Sequence, residues 1–178
     1  DESSFRKPAL RGQGWLLPVV ERMAFEAMAE GKEGRFMAKY YCILFDADNT
    51  LLNFDVAESK ALAETLVNYG IEPDAETVQT YRTINEELWR QLEKGQIKRE
   101  KLMAERFTRF LKAVDAAGDG VEMNRFYLEQ LSTHPDLMGP EVLDVLRELS
   151  EVATLAVVTN GFQKVQTRRL AESGILNF

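Results

Sequence analysis

The stretch YYCILFDADNTLL, residues 40–52, decides how this chain is read. An apolar run from Tyr40 to Phe45 has the pattern of a parallel strand covered on both faces. It ends on two acids one residue apart, Asp46 and Asp48, followed by Asn49, Thr50 and two leucines. Carboxylates held this close repel each other and resist burial, so their placement calls for a compensating partner.

Working outward, the period changes after Leu52. Asp55 and Glu58 have capping-box spacing, and Ala61, Leu62, Thr65, Leu66 and Tyr69 follow at helical intervals up to Gly70. A second helix is expected from Pro73-Asp74 to Gly95, a third over about 98–115, and a fourth over VEMNRFYLEQLSTH, closed by Pro135. Four amphipathic helices in succession read as a small bundle inserted after the first strand. Pro140 fits the first position of a further helix, PEVLDVLRELS. ATLAVVTNG then supplies a second apolar strand over 153–159, and FQKVQTRRLAESG a last helix ending at Gly174. Strand, bundle, helix, strand and helix make an α/β pattern. Only two strands of the parallel kind are visible, and the chain ends where a third is expected, so the core is expected to be incomplete at its C-terminus.

In an open parallel sheet, ligands bind beyond the carboxyl ends of the strands. Both strands here end in polar residues, Asp46-Ala47-Asp48-Asn49-Thr50 on the first and Thr159-Asn160-Gly161 on the second. A cation between the acids would remove their repulsion. Mg²⁺ suits oxygen-only ligands, taking one or two carboxylates and keeping water and a substrate phosphate oxygen. A carboxylate in such a place can act as a nucleophile, and its neighbour as acid and base. Thr159, Asn160 and the Gly161 amide can donate to phosphoryl oxygens at a helix start. The blander reading makes Asp46 and Asp48 turn and capping acids, and Thr159-Asn160-Gly161 an ordinary strand-to-helix turn.

The totals bound the alternatives. The 178 residues suffice for one domain or a core with an insertion, and 45% apolar with 29% charged residues argues for a globular fold. A net charge of -7 offers no footprint for nucleic acid or an anionic membrane. One cysteine, Cys42, cannot form an internal disulfide, which makes a reducing cytoplasm the default. One histidine, His134, leaves little room for a Ser-His-Asp triad or a multi-histidine metal site. Cys42 is expected to be a buried strand residue, and His134 a C-terminal cap or surface residue. Trp89, Phe107, Phe110, Phe126 and Tyr127 are expected in the bundle core, and Arg168-Arg169 on a solvated helix face. GWLLPVV at 14–20 is too short for a signal peptide or a membrane span. Residues 1–36 read either as an extension preceding a domain that opens near Met37, or as carrying a helix around 19–30.

LFDADNTLL resembles the first motif of the haloacid dehalogenase (HAD) superfamily, and LAVVTNG resembles its second. The helical insert resembles that superfamily's C1-type cap. DADNTL, LWRQLEKGQIKREKL, ERF at 105–107 and TNGFQKVQTRRL more narrowly resemble bacterial HAD nucleotidases, including noncanonical pyrimidine 5′-nucleotidases. The likeness covers about residues 38–178. It implies a Rossmann-like parallel-sheet core over 37–54 and 137–178, with a four-helix cap over 55–136. It implies Asp46 as nucleophile and Mg²⁺ ligand, Asp48 as acid/base that binds metal through its carbonyl, and Thr159, with Asn160 and Gly161, holding the phosphoryl group. The family's third motif supplies a Lys, and its fourth a pair of acids. Lys164 lies too close behind Thr159 to fill the first role, and no segment here matches the second. The resemblance thus implies a Mg²⁺-dependent phosphomonoesterase for nucleoside 5′-monophosphates. The alternatives are a HAD phosphatase for phosphoglycolate or a sugar phosphate, and a non-catalytic HAD-like fragment.

Overall fold

The computed structural model describes residues 28–30, 36–38 and 41–178. Strands β1 (Met28–Glu30) and β2 (Phe36–Ala38) pair antiparallel, Ala29 opposite Met37. The helix expected over 19–30 therefore does not reach Met28–Glu30, and the rest of that expectation lies outside the described residues.

The chain forms two compact units. The first holds the described residues up to Leu51 together with Met138–Val158 and Phe178. In it, β3 (Cys42–Asp46) and β4 (Thr154–Val158) run parallel, with Cys42 opposite Thr154 and Asp46 opposite Val158. Helix α5 (Val142–Ser150) supplies the connection, burying Val142, Leu146 and Leu149. Pro140 precedes this helix by two residues instead of opening it, and Glu141 stands at the cap position. Burial along β3 alternates: Ile43 and Phe45 are buried, whereas Leu44 is 62% exposed. The expectation of a strand covered on both faces is therefore corrected. Cys42, expected to be buried, is exposed for the same reason, since odd and even residues of a strand point to opposite faces.

The second unit holds Leu52–Leu137 and Thr159–Asn177. Its helices are α1 (Phe54–Asn68), α2 (Ala75–Glu93), α3 (Arg99–Ala113), α4 (Gly120–Ser132) and α6 (Gln163–Glu172), with a 3₁₀ turn at Ile175–Asn177. Three of them are capped by short polar side chains that satisfy orphan amides. Asn53 accepts from the Val56 N–H at 3.1 Å, Asp74 from Thr77 at 2.7 Å, and Asp119 from Val121 at 2.8 Å. The first cap is Asn53, two residues ahead of the expected Asp55.

Tyr81, Phe107, Phe110 and Tyr127 form the middle of this unit's core. Tyr81 stacks on Phe107 at 5.0 Å between centroids, and Phe110 meets Phe107 edge-on at 6.1 Å. Each buried ring contributes about 2 kcal/mol by transfer, and each pair adds roughly 0.5–1.5 kcal/mol. Phe126 is half-buried and meets Tyr69 edge-on. Trp89 is half-buried and lies outside the core cluster, contrary to expectation. Where α3 and α4 cross, a Cβ on Gly120 would come within 2.4 Å of the Thr108 backbone nitrogen, so only glycine permits that approach. No helix among the described residues is long and apolar enough to cross a membrane.

Candidate active site

Ile43 and Phe45 anchor β3, and the chain leaves it through a tight turn. The Ala47 carbonyl accepts from Leu51 N–H at 3.0 Å, and Asn49 takes φ = +56°. Asn tolerates the left-handed region better than most residues, which explains its place in this turn. Ala47 is fully buried between the two acids, whereas Asp46 is exposed and Asp48 half-buried. The alternation along D-A-D thus buries the alanine and keeps both carboxylates out of the core. Asp46 Oδ1 accepts the Ala47 N–H at 2.9 Å, which fixes its rotamer.

The parallel register pairs Asp46 with Val158, so the two strands of this sheet end at the same level. Thr159 is the next residue of the chain. A shallow cavity lined by Tyr41, Ser150, Val152, Thr154 and Phe178 lies at the amino ends of these strands, away from the acids.

In the second unit, Thr159, Asn160 and Gly161 form the turn that leads into α6. Thr159 Oγ1 accepts from the Gly161 N–H at 3.0 Å and from Gln166 Nε2 at 2.9 Å. A Cβ on Gly161 would stand 2.6 Å from Gln166 Cγ and Nε2, so glycine is needed for Gln166 to reach Thr159. Arg99, the first residue of α3, holds the turn from another side. Its Nη2 donates to the Asn160 carbonyl at 3.0 Å and its Nη1 to the Gly161 carbonyl at 3.3 Å. The same guanidinium lies 5.3 Å from the centre of the Phe162 ring, a cation–π arrangement. Lys164 is exposed on α6.

Three residues around this turn escape sequence reading. Arg169 was expected on a solvated face together with Arg168, yet it is fully buried. Its Nε donates to the His134 carbonyl at 3.1 Å, its Nη1 to Gln166 Oε1 at 3.1 Å, and its guanidinium lies 5.9 Å from the Phe54 ring centre. Gln166 is likewise buried. Their signal is helical spacing: Val165 and Leu170 mark the apolar face of α6, and Gln166 and Arg169 fall on that same face. Arg99 carries no sequence signal, because its partners are main-chain carbonyls some 60 residues away. His134, expected as a helix cap or surface residue, keeps its side chain only 16% exposed beside Glu64, with Nε2 3.2 Å from the carboxylate.

A second polar group lies inside the helical unit. Arg106, 3% exposed, donates Nε and Nη2 to Asn124 Oδ1 at 3.1 and 2.6 Å, and Nη1 to Asn85 Oδ1 at 3.3 Å. Asn85 Nδ2 in turn donates to Glu58 Oε1 at 3.3 Å. Burial pushes the Glu58 carboxyl above the ordinary range, and the nearby Arg82 and Arg106 charges only partly offset this. Burial also raises the Tyr81 phenol, to about 12.

Asp46 and Asp48 present oxygen donors only. Among the described residues no group of three or more His, Cys, Asp or Glu side chains gathers to hold an ion. Two acids suit a hard cation that fills its remaining positions with water and substrate oxygens, as Mg²⁺ does, and do not suit one that needs an all-protein cage.

A strand ending in D-A-D, a parallel neighbour ending before T-N-G and a helical insert between them in the chain make an α/β core with an inserted helical unit. The family model for haloacid dehalogenase-like hydrolases matches residues 40–178, and the chain belongs to that family. Among curated relatives it is 32% identical over 142 residues to the HAD hydrolase YfnB of Bacillus subtilis, covering 80% of this chain and 60% of that protein. It is 35% identical over 143 residues to the pyrimidine 5′-nucleotidase PynA of Streptococcus pneumoniae, covering 78% of this chain and 59% of the relative. Identity to the pyrimidine 5′-nucleotidase YjjG of Escherichia coli is 26% over 140 residues, 79% of this chain and 60% of that one. The chain thus spans about three-fifths of the length of these relatives. The crystal structure of YfnB bound to magnesium, which shows interdomain movement, superimposes with a TM-score of 0.73 at 32% identity, over 78% of this chain and 61% of that one.

Proposed function

We propose that this chain carries the nucleophile, the acid/base and the phosphate-holding turn of a Mg²⁺-dependent phosphomonoesterase for nucleoside 5′-monophosphates. The observation that carries the reading is the parallel register, in which Asp46 closes β3 beside the last residue of β4. In this reading an Asp46 oxygen attacks phosphorus, forming an aspartyl phosphate and breaking the ester P–O bond. Asp48 gives its proton to the departing alkoxide. It then takes a proton from the water that attacks the acyl phosphate, which frees phosphate and restores Asp46. Thr159, with the Asn160 amide, receives the phosphoryl oxygens, while the Gly161 amide donates to Thr159 Oγ1. Mg²⁺ held by Asp46 and Asp48 supplies positive charge against the carboxylates and the phosphate.

The nucleotide class is supported by the two relatives named as pyrimidine 5′-nucleotidases. The net charge of -7 argues for a small-molecule partner over nucleic acid or an anionic membrane, and the single cysteine fits a reducing cytoplasm. A substrate panel with and without Mg²⁺ tests the reading. Phosphate release is expected from UMP, CMP or dTMP ahead of phosphoglycolate and sugar phosphates, and preference for a non-nucleotide ester would refute the substrate class.

A further inference from the structure

Thr159 is held more tightly than a phosphate contact alone requires. A threonine hydroxyl offers one proton and two acceptor lone pairs, and a free hydroxyl rotates to suit whichever partner arrives. Here the Gly161 N–H and Gln166 Nε2 both donate to Thr159 Oγ1, at 3.0 and 2.9 Å. With both lone pairs engaged, the proton is left for a third partner, and that partner must be an acceptor.

The direction of the Gln166 bond is itself determined. An amide can turn either its oxygen or its nitrogen toward Thr159, but arginine only donates. Arg169 Nη1 lies 3.1 Å from the other end of the amide, which must therefore be the oxygen. Arg169 is fixed in turn by the His134 carbonyl at 3.1 Å, and both Arg169 and Gln166 are buried. A chain of donors thus runs from Arg169 through Gln166 to Thr159.

We propose that Gln166 is a positioning residue that makes Thr159 an obligate hydrogen-bond donor to a phosphoryl oxygen, with Arg169 setting the orientation of the Gln166 amide. The inference rests on the phosphatase reading for Thr159 and goes beyond it, since it assigns roles to two side chains on α6 beyond the first and second motifs. Its benefit is preorganisation: the hydroxyl needs no reorientation when the anion arrives, and ligands that would donate to it are rejected.

The test is a double-mutant cycle read by calorimetric titration of the full chain with inorganic phosphate in the presence of Mg²⁺. The proteins are wild type, Gln166→Leu, Thr159→Val and the double variant. Wild type is expected to bind phosphate, Q166L to bind roughly tenfold more weakly, and the double variant to bind no more weakly than T159V alone. Losses that multiply in the double variant would show that Gln166 acts apart from Thr159, overturning the inference while leaving the phosphatase reading intact. No phosphate binding by folded wild type would remove that reading and the inference with it. If Q166L loses its helical circular dichroism, Gln166→Glu takes its place, because it retains an acceptor for Arg169. The same non-additivity is then expected, and multiplying losses again overturn the inference. A merely structural role predicts that Q166E is the milder change; the positioning role predicts that it is the more damaging to phosphate binding, because a carboxylate would accept the Thr159 proton.

Discussion

Asn124 Oδ1 receives both Nε and Nη2 of Arg106, at 3.1 and 2.6 Å, in the interior of the helical unit. The Arg106 guanidinium also lies 4.8 Å from the Tyr127 ring centre. A buried guanidinium is tolerable only while its donors are satisfied, and removing a partner exposes the full desolvation cost.

Asn124→Ala is therefore expected to destabilise the chain by about 3 kcal/mol. Arg106→Met, which removes the charge and keeps much of the volume, is expected to cost less than N124A despite being the larger chemical change. Urea unfolding of both variants checks the order; the reverse order would mean that Arg106 contributes mainly through its charge.

Glu58 titrates in the same network. Its folded-state carboxyl lies above the ordinary value of 4.5, first through burial, so the folded chain binds more protons than the unfolded one between those two values. Stability from this group is full below the unfolded value and is lost as pH rises through the folded one. Glu58→Gln should accordingly raise the thermal midpoint at neutral pH, with the gain disappearing below about pH 4.5. A midpoint lowered at pH 7 would show that the Arg82 and Arg106 charges outweigh burial.

The sheet unit leaves apolar side chains uncovered: Tyr41 is 95%, Leu44 62% and Val158 59% exposed. Exposed apolar surface of this kind favours self-association. Leu44→Lys is expected to lower the sedimentation-measured association of the chain without lowering its thermal midpoint. Equal association by both proteins would show that this face is not the sticky one.

Arg99 ties the start of α3 to the carbonyls of Asn160 and Gly161. Arg99→Ala should speed hydrogen exchange at the amides of residues 160–162 by roughly tenfold, while leaving α4 protected. Unchanged exchange there would show that the turn holds itself.

Much of this was legible in the sequence. Both strands of the parallel sheet and the six helices of the described residues follow from apolar periodicity, whereas the β1–β2 pair does not, and D-A-D and T-N-G mark the carboxyl ends of the parallel strands. What escaped was non-local. Whether a strand's second face is covered depends on packing partners, so Leu44 and Cys42 read as buried. Arg169 read as solvated because charge dominates a composition-based judgement, although its spacing from Val165 places it on the buried face of α6. Arg99 bonds to backbone carbonyls, which leave no mark on residue identity.

Asp46 as the nucleophile of phosphoryl transfer is the assignment on which the other roles depend. It is tested most directly by following Mg²⁺-dependent phosphate release from a pyrimidine nucleoside 5′-monophosphate by wild type and Asp46→Asn, with circular dichroism to establish that both are folded. Wild type is expected to release phosphate and to stop when Mg²⁺ is chelated, and D46N is expected to release none above background. Mg²⁺-dependent hydrolysis retained by D46N, or no hydrolysis by folded wild type, would contradict the assignment.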